Sequence, residues 1–381
     1  MLWKEELFWE PLEIKKSLSE NGAEMSELQH AFLCGLIKQY RPKKIVEVGV
    51  AAGGTTAVVL NCISMLEMET EIYSVDKSEK YYLDGNKRTG YLAEECKKYL
   101  DKEVKHYMRL GGYLPEYLDE IGDNIDFLIL DTVHTLPGEL IDFLACLPKL
   151  RGGAIVVLHD ILLNHECFKV NAIATRVLFS SVAGKKIICK GKDNQYNYIG
   201  LGAFEVTEET RNYIENVFSS LMLTWNYIPD DVQIRLYREH FLKYYSTDLV
   251  DEFDISVEMN KNTLLKKRLA GKDGFYSIHK LLDKLVDKRN IYIYGCGVNG
   301  TRLFDCLESF GVKIEGYAIS DDQVKPAIDK RVEYISDLES SKSTLVLGMG
   351  IEKQKEICGE SVPDNWICVD EGVLSLLRDC L

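Results

Sequence analysis

Apolar positions in the first two hundred residues fall into short runs that alternate with longer segments of helical spacing. The segment to about Tyr40 places Leu28, Phe32, Leu36 and Ile37 on one helical face, with Arg41-Pro42 as its stop. After it come IVEVGV, a glycine turn, the helix-like TTAVVLNCISMLEM and the strand EIYSVD. A helix around Tyr91 to Leu100 follows, then the strands VKHYMRL and IDFLILD, a helix around Glu139 to Leu147 and the strand GGAIVVLHD. Later strands are expected at KKIIC and YIGLGAFEV. Short β-branched strands alternating with helices predict a doubly wound α/β domain, a parallel sheet covered on both faces.

From Glu208 to about Lys288 the pattern changes to long, charged, Tyr-rich helices, broken at Thr224-Trp225, Ile228-Pro229 and Gly271 to Gly274. Past Arg289 the alternation restarts with NIYIYGCGVNG, a helix near Thr301 to Phe310, KIEGYAISDD and STLVLGMG. The expected organisation is an α/β domain with N-terminal helices over 1–205, a helical connector over 206–288 and a smaller Rossmann-like α/β domain over 289–381. A chain of 381 residues accommodates two to three such units.

Composition narrows the class. With 46% hydrophobic and 28% charged residues the chain can bury a sizeable core, which excludes a disordered or fibrous protein. No apolar run approaches the roughly 20 residues that cross a bilayer. The start, MLWKEELFWEPLEIKK, mixes charges through its apolar residues and does not read as a secretory signal, so a cytoplasmic protein is expected. The 46 basic and 60 acidic residues give a net charge of −14, which opposes the counterion release that drives nucleic-acid binding. Eleven cysteines without a C-x-x-C pair read as buried free thiols.

The candidate chemistry gathers at strand ends. In IVEVGVAAGGTT a strand closes at Glu47-Val48-Gly49 and a helix starts at Thr55 or Thr56, a place where open α/β sheets bind ligands. The spacing G-x-x-x-G-G departs from the pyrophosphate-seating G-x-G-x-x-G, so the ligand need carry no phosphate. The next strand ends in Asp76, 27 residues after Gly49, where a carboxylate can accept bonds from both hydroxyls of an unphosphorylated ribose. That pairing suits S-adenosylmethionine; a plain strand-to-helix turn and a solvated acid are the structural alternative. Asp131 with His134, and His159 with Asp160, close two further strands on the same inferred rim. A helix N-cap is the other reading of Asp131.

IVEVGVAAGGTT, SVD, IDFLILDTVHT and DFLACLPKLRGGAIVVLHD, in that order, resemble the class I S-adenosylmethionine-dependent methyltransferases, over about residues 25 to 205. The similarity is to the group that includes catechol O-methyltransferase and the macrolide and cephalosporin-pathway enzymes. It implies that Glu47, Gly49, Ala51, Gly53 and Thr55 line the methionine and ribose part of the cofactor, with Asp76 on the ribose and Asp131 close by. In metal-dependent relatives a divalent ion is held at positions matching Asp131, His159 and Asp160, although a His-Asp pair departs from the usual all-oxygen pair. His134 stands where the catechol enzyme has a catalytic lysine, and is the candidate general base. The expected reaction is methylation of an oxygen on a sugar-like or other small-molecule acceptor.

NIYIYGCGVNGTRLF places Gly295, Gly297 and Gly300 in a dinucleotide-type spacing between strand and helix, with Asp321 near the end of the next strand as the ribose acid. The segment resembles small Rossmann-like domains of bacterial sugar-modifying and polysaccharide-biosynthesis proteins, which implies a nucleotide or nucleotide-sugar ligand; a structural or oligomerising domain is the alternative. Two other functions stay open at this point: an NAD-dependent oxidoreductase or epimerase using this turn, disfavoured because the domain is short and has no Tyr-x-x-x-Lys within 289–381, and a noncatalytic scaffold. Tyr227, Tyr237, Tyr244 and Tyr245 at helical spacing suit ordinary packing or a subunit interface, with the lining of a substrate cleft as the other reading, and a homo-oligomer is an open expectation.

Overall fold

The computed structural model describes all residues except 1, 4–6, 21, 23–24, 166–168, 190–198, 271–273, 340, 360 and 380–381. The chain divides into two compact units, Met1–Asn260 and Lys261–Leu381, so the helical stretch expected between two α/β domains is shared between them.

The first unit contains strands β1 (Leu2–Trp3), β2 (Lys44–Val48), β3 (Glu71–Asp76), the small hairpin β4 (Lys80–Tyr81) and β5 (Asp84–Arg88), β6 (Lys105–Leu110), β7 (Ile125–Leu130), β8 (Leu150–Leu158), β9 (Lys185–Cys189) and β10 (Gly202–Glu205). Eight of them form one sheet in the order β1-β9-β10-β8-β7-β2-β3-β6. The stretch β8-β7-β2-β3-β6 is parallel, as the alternation predicts. By contrast, β10 runs antiparallel to both β8 and β9.

Register fixes where the chemistry stands. Val48 pairs with both Val75 and Leu130, and Leu130 with Leu158. The residues that follow therefore leave the sheet along one rim: the glycine turn after β2, Asp76 at the end of β3, Asp131 after β7 and His159 after β8.

The strands show the two-residue period of a sheet buried on both faces. In β7, Leu128 and Leu130 join one core with Val46, Val156 and Leu158, while Phe127 and Ile129 join the other with Ile45, Ile155 and Val157. The second of these cores is covered by α1 (Glu27–Tyr40), α2 (Gly54–Met65) and α3 (Tyr91–Cys96). Helix α1 begins with a capping box between Ser26 and Gln29 and ends at Arg41 in the left-handed region, one residue before Pro42. The first core is covered by α4 (Leu114–Ile121), α5 (Gly138–Cys146) and by helices over Ala174–Ser181, Glu215–Ser220 and Asp231–Tyr244. Trp225, Tyr237, Phe241 and Phe253 are buried there beside Phe143 and Phe218. Truncating one such aromatic costs about 3 to 5 kcal/mol, so the helices after residue 208 are integral to this core.

The second unit has a five-stranded, wholly parallel sheet, ordered β13-β12-β11-β14-β15. Its strands are β11 (Ile291–Tyr294), β12 (Ile314–Ile319), β13 (Val332–Tyr334), β14 (Thr344–Leu347) and β15 (Trp366–Cys368). Ile291, Ile293 and Val346 pack against Leu303, Phe304 and Leu307 of the helix Val298–Ser309.

Among the described residues Cys34, Cys62, Cys96, Cys146, Cys189 and Cys306 are buried; Cys167 and Cys380 lie outside them. No helix among the described residues is long and apolar enough to cross a membrane.

Candidate active site

The turn after β2 is held in a conformation that few residues tolerate. Gly49, Ala51 and Gly53 all have positive φ, of 90°, 51° and 85°. A Cβ on Gly49 would stand 1.8 Å from the carbonyl oxygen of Asp131, so only glycine fits where β2 and β7 leave the sheet together. Gly53 packs against the chain before α3, where a Cβ would meet Gly90 Cα at 2.9 Å. Asp76 clamps the turn: its Oδ2 accepts the Val50 N–H at 2.9 Å and the Ala51 N–H at 3.3 Å, and its Oδ1 accepts the Ser78 N–H at 2.8 Å.

Glu47 sits beneath the turn instead of facing out. It is buried, and its Oε2 accepts the hydroxyls of Thr56 at 2.7 Å and Ser74 at 2.8 Å. Burial pushes its carboxyl up to about 7, against the lowering effect of those two bonds. Thr55 opens α2, with its hydroxyl 3.2 Å from Nε2 of buried His30. Burial drags that imidazole down to about 3, so it is neutral at physiological pH.

The turn borders a cavity of about 400 Å³, the size of a small-molecule site. One side is lined by Gly49, Val50, Ala51, Thr55, Asp76 and Lys77. The other is lined by Tyr113, Asp131, Thr132, His134, Asp142, Tyr227, Gln233 and Tyr237. Of the expected site residues, Gly49, Ala51, Thr55, Asp76, Asp131 and His134 line this cavity, and Glu47, Gly53, His159 and Asp160 do not.

Two of the lining residues, Asp131 and His134, belong to a charged cluster. His159 Nδ1 is 2.9 Å from Asp131 Oδ1, and His159 Nε2 is 3.3 Å from Asp160 Oδ1. His134 Nε2 is 3.5 Å from both Asp131 Oδ1 and Asp160 Oδ2. Both His134 and Asp160 occupy left-handed backbone, with φ of 58° and 59°. Non-glycine residues rarely do so, and such strain concentrates at functional sites. Burial lowers the His134 imidazole, but Glu139, Asp131 and Asp160 outweigh it and raise the group to about 9. Burial raises the Asp131 carboxyl, yet His159 and His134 hold it below the usual carboxylate range. Asp131, His134 and His159 each offer one ligand atom, all within 4.8 Å of one another, which is a geometry suited to a metal ion. The family resemblance groups Asp131 and His159 with Asp160; in the structure Asp160 contacts both imidazoles, and His134 also brings a ligand atom within 4.8 Å of those of Asp131 and His159.

Three contributors were not anticipated. Glu139 is fully buried in the first turn of α5 and accepts the N–H groups of His134 at 2.8 Å and Thr132 at 3.3 Å. Asp142, one helical turn on, is buried and accepts a short hydrogen bond from the Tyr237 hydroxyl. Burial raises its carboxyl to about 7. Tyr113, at the start of α4, donates to Asp230. The readable signal was a pair of acids three residues apart in GELIDFLAC, an otherwise apolar helix. The tyrosines of the expected connector divide: Tyr227 and Tyr237 line the cavity, whereas the Tyr245 hydroxyl donates to the Leu144 carbonyl at 2.6 Å in the core.

In the second unit Gly295 has φ of 97°, and a Cβ on Gly300 would stand 1.8 Å from the Gly295 carbonyl oxygen. Gly297 faces open space, with no atom within 4 Å of an added Cβ. Asp321 accepts the Ser336 N–H at 3.3 Å and a short bond from the Ser336 hydroxyl.

Residues 46–161 match the family model of a methyltransferase domain. A stretch of 140 residues is 27% identical to the uncharacterized protein y4gI of Sinorhizobium fredii, covering 35% of this chain and 15% of that protein. The chain thus spans a small part of the curated relative it matches. Among solved structures, the O-methyltransferase TomG from Streptomyces achromogenes, involved in tomaymycin synthesis and in complex with SAM, is 16% identical with a TM-score of 0.39, covering 54% of this chain and 92% of that one. The O-methyltransferase from Bacillus cereus in complex with SAH is 15% identical with a TM-score of 0.36, covering 52% and 89%. Such low scores leave the functional reading to the matched domain and the site's own residues. The expectation of a methyltransferase is met to this extent: residues 46–161 of the first unit match a methyltransferase domain, and they span the strands β2, β3, β6, β7 and β8 that pair in parallel.

Proposed function

We propose that the first unit binds S-adenosylmethionine in the cavity beside the Gly49–Thr55 turn and transfers its methyl group to an oxygen of a small, sugar-like acceptor seated against His134 and the tyrosines. The observation that carries this reading is the two-sided cavity, a glycine turn braced by Asp76 on one side and an imidazole-carboxylate cluster with phenols on the other. When bound, the cofactor supplies an electrophilic methyl carbon. The protein's part is to hold a hydroxyl in line with it, and orientation of that kind supplies much of the rate. Gly49 and Ala51 keep the backbone close to the methionine portion. The lone pairs of Asp76 left over from Val50, Ala51 and Ser78 face the ribose. Tyr227, Tyr237, Gln233 and Asp142 bind the acceptor by hydrogen bonds, and His134, whose imidazole its carboxylates raise to about 9, takes the hydroxyl proton once it has released its own.

A second reading of the same cluster is supported by the convergence of Asp131, His134 and His159. These three would hold a divalent ion, whose chemistry would be to acidify the acceptor hydroxyl. One carboxylate and two imidazoles suit Zn²⁺, Fe²⁺ or Mn²⁺ better than Mg²⁺. For the second unit we propose a nucleotide or nucleotide-sugar ligand at the Gly295–Gly300 turn, supported by the open approach at Gly297.

Calorimetry with S-adenosylhomocysteine on the full chain tests the principal reading. Saturable binding is expected, together with transfer of a labelled methyl group to a member of a panel of hydroxylated sugars. A folded chain that gives no binding heat would remove the cofactor assignment.

A further inference from the structure

We propose that Cys358 and Cys368 form a reversible thiol–disulfide site on the second unit, oxidised by small disulfides and reduced by thiols, that ties the helix Ile351–Cys358 to the strand β15. The two residues are 10 apart in sequence, and their Sγ atoms stand 3.8 Å from each other. A disulfide bond is about 2.05 Å long, so the remaining gap is within reach of side-chain rotation. Both residues are half-buried, which leaves the pair open to a small reagent. That sets it apart from a second neighbouring pair: the Cys62 thiol lies 3.8 Å from the Cys34 carbonyl oxygen, but both residues are fully buried. Thiol exchange needs access as well as proximity.

The place of the pair in the fold gives the bond a task. Cys358 is the last residue of its helix, and Cys368 closes β15, the strand at one end of the sheet order, where it pairs with Leu347 of β14. A short edge strand is held by a single ladder. Gln354, on the same helix as Cys358, already donates to the carbonyl oxygens of Met349 at 2.8 Å and Val369 at 3.2 Å. A bridge would add a covalent tie between that helix and β15. Trp366, at the start of β15, packs edge-to-face with Tyr294, ring centroids 5.6 Å apart, and Tyr294 immediately precedes Gly295. The strand so braced therefore packs against the residue from which the second glycine turn leaves the sheet.

The exchange balances with a small disulfide as oxidant. One cysteine thiol loses its proton and attacks the oxidant, forming a mixed disulfide and expelling one thiolate. The other cysteine, deprotonated in turn, attacks the protein sulfur of that mixed disulfide and expels the second thiolate. The two cysteines are oxidised to one S–S bond, and the oxidant is reduced to two thiols that take up both protons.

The test equilibrates the full chain with reduced and oxidised glutathione, alkylates the remaining thiols under denaturing conditions and digests with trypsin. Both cysteines fall in the peptide Glu356–Arg378. Mass spectrometry should find that peptide unalkylated and lighter by two hydrogens, and excess reduced glutathione should return it to the doubly alkylated form. At one glutathione ratio the bridged fraction relative to the open one should be at least about tenfold higher in the folded chain than in urea, because the fold holds the thiols together. Equal ratios in the two states, or a folded chain that stays doubly alkylated under oxidised glutathione, would overturn the site. Cys358→Ser should instead carry glutathione on Cys368, and Cys368→Ser on Cys358; uptake by neither variant would show the thiols to be out of reach and would also overturn it. Amide hydrogen exchange in β15 should slow at least about tenfold on bridging, and unchanged exchange would refute the bracing role. None of these readouts depends on methyl transfer or on a ligand at the Gly295–Gly300 turn.

Discussion

The carbonyl oxygen of Asp131 lies 1.8 Å from the point that a Cβ on Gly49 would occupy. The glycine turn and the rim cluster are thus in backbone contact, and no side chain can be inserted between them without parting β2 from β7. Gly49→Ala should destabilise the first unit by about 3 kcal/mol or more, since the clash is with backbone and the residue has positive φ. Urea unfolding checks this, and a loss below about 1 kcal/mol would mean that the strand ends are less rigid than the geometry states.

Asp76 serves its own turn with no ligand present. Its bonds to Val50, Ala51 and Ser78 fix the loop before any ribose arrives. Asp76→Ala should weaken S-adenosylhomocysteine binding by about 1.5 to 3 kcal/mol, the scale of hydrogen bonds to a charged group. Unchanged calorimetric affinity would refute the assignment.

Glu47 gives a pH signature. Its folded carboxyl is raised from 4.5 to about 7 by burial, so the folded chain binds a proton that the unfolded chain has released over that interval. Stability from this group is fully present below about pH 4.5 and is lost as pH rises through about 7. Glu47→Gln keeps an oxygen to accept the Thr56 and Ser74 hydroxyls and removes the titration. Unfolding midpoints of the variant should fall less steeply between pH 5 and 7 than those of the wild type, and parallel curves would show that Glu47 is not the group responsible.

Much of this was legible in the chain. The rim could be read because each strand announces its own end: an apolar run such as IDFLIL stops at an acid, and parallel topology carries every such stop to one edge. Glu139, Asp142 and Tyr237 could not be read that way. They lie on helices, whose apolar period locates a buried face but does not say which polar residue on it points into a cavity. Tyr237 is linked to Asp142 across 95 residues of sequence, and a contact of that span is set by packing of the later helix on α5. The hold of Asp76 on its own turn was hidden for a related reason: an acid at a strand end looks the same whether it binds a ligand or its own backbone. The antiparallel β10 escaped because GAFE has the same apolar pattern in either direction.

The acceptor side should separate from the cofactor side. Tyr227→Phe removes a hydroxyl at the cavity wall and leaves the turn untouched, so S-adenosylhomocysteine affinity should hold while methyl transfer to the eventual acceptor falls about fivefold to fiftyfold, the range of one lost hydrogen bond of about 1 to 2.3 kcal/mol. A variant that instead loses cofactor affinity would place Tyr227 on the other side of the cavity.

The cluster of Asp131, His134 and His159 makes the most exposed claim. With ligand atoms within 4.8 Å of one another, the three groups should bind Zn²⁺ or Mn²⁺ measurably in calorimetry of the chelator-treated chain. Asp131→Asn and His134→Gln should each lower that affinity by at least about tenfold, because each removes a direct ligand, and displacement of the proton from His134 should make binding tighten as pH rises. Asp160→Asn should cost less, since Asp160 contacts both imidazoles without belonging to the set of three. A larger loss in Asp160→Asn than in His134→Gln would restore the Asp131, His159 and Asp160 set expected from sequence. Absence of any binding heat, with methyl transfer undiminished in excess chelator, would leave the cluster as a proton-holding network around His134.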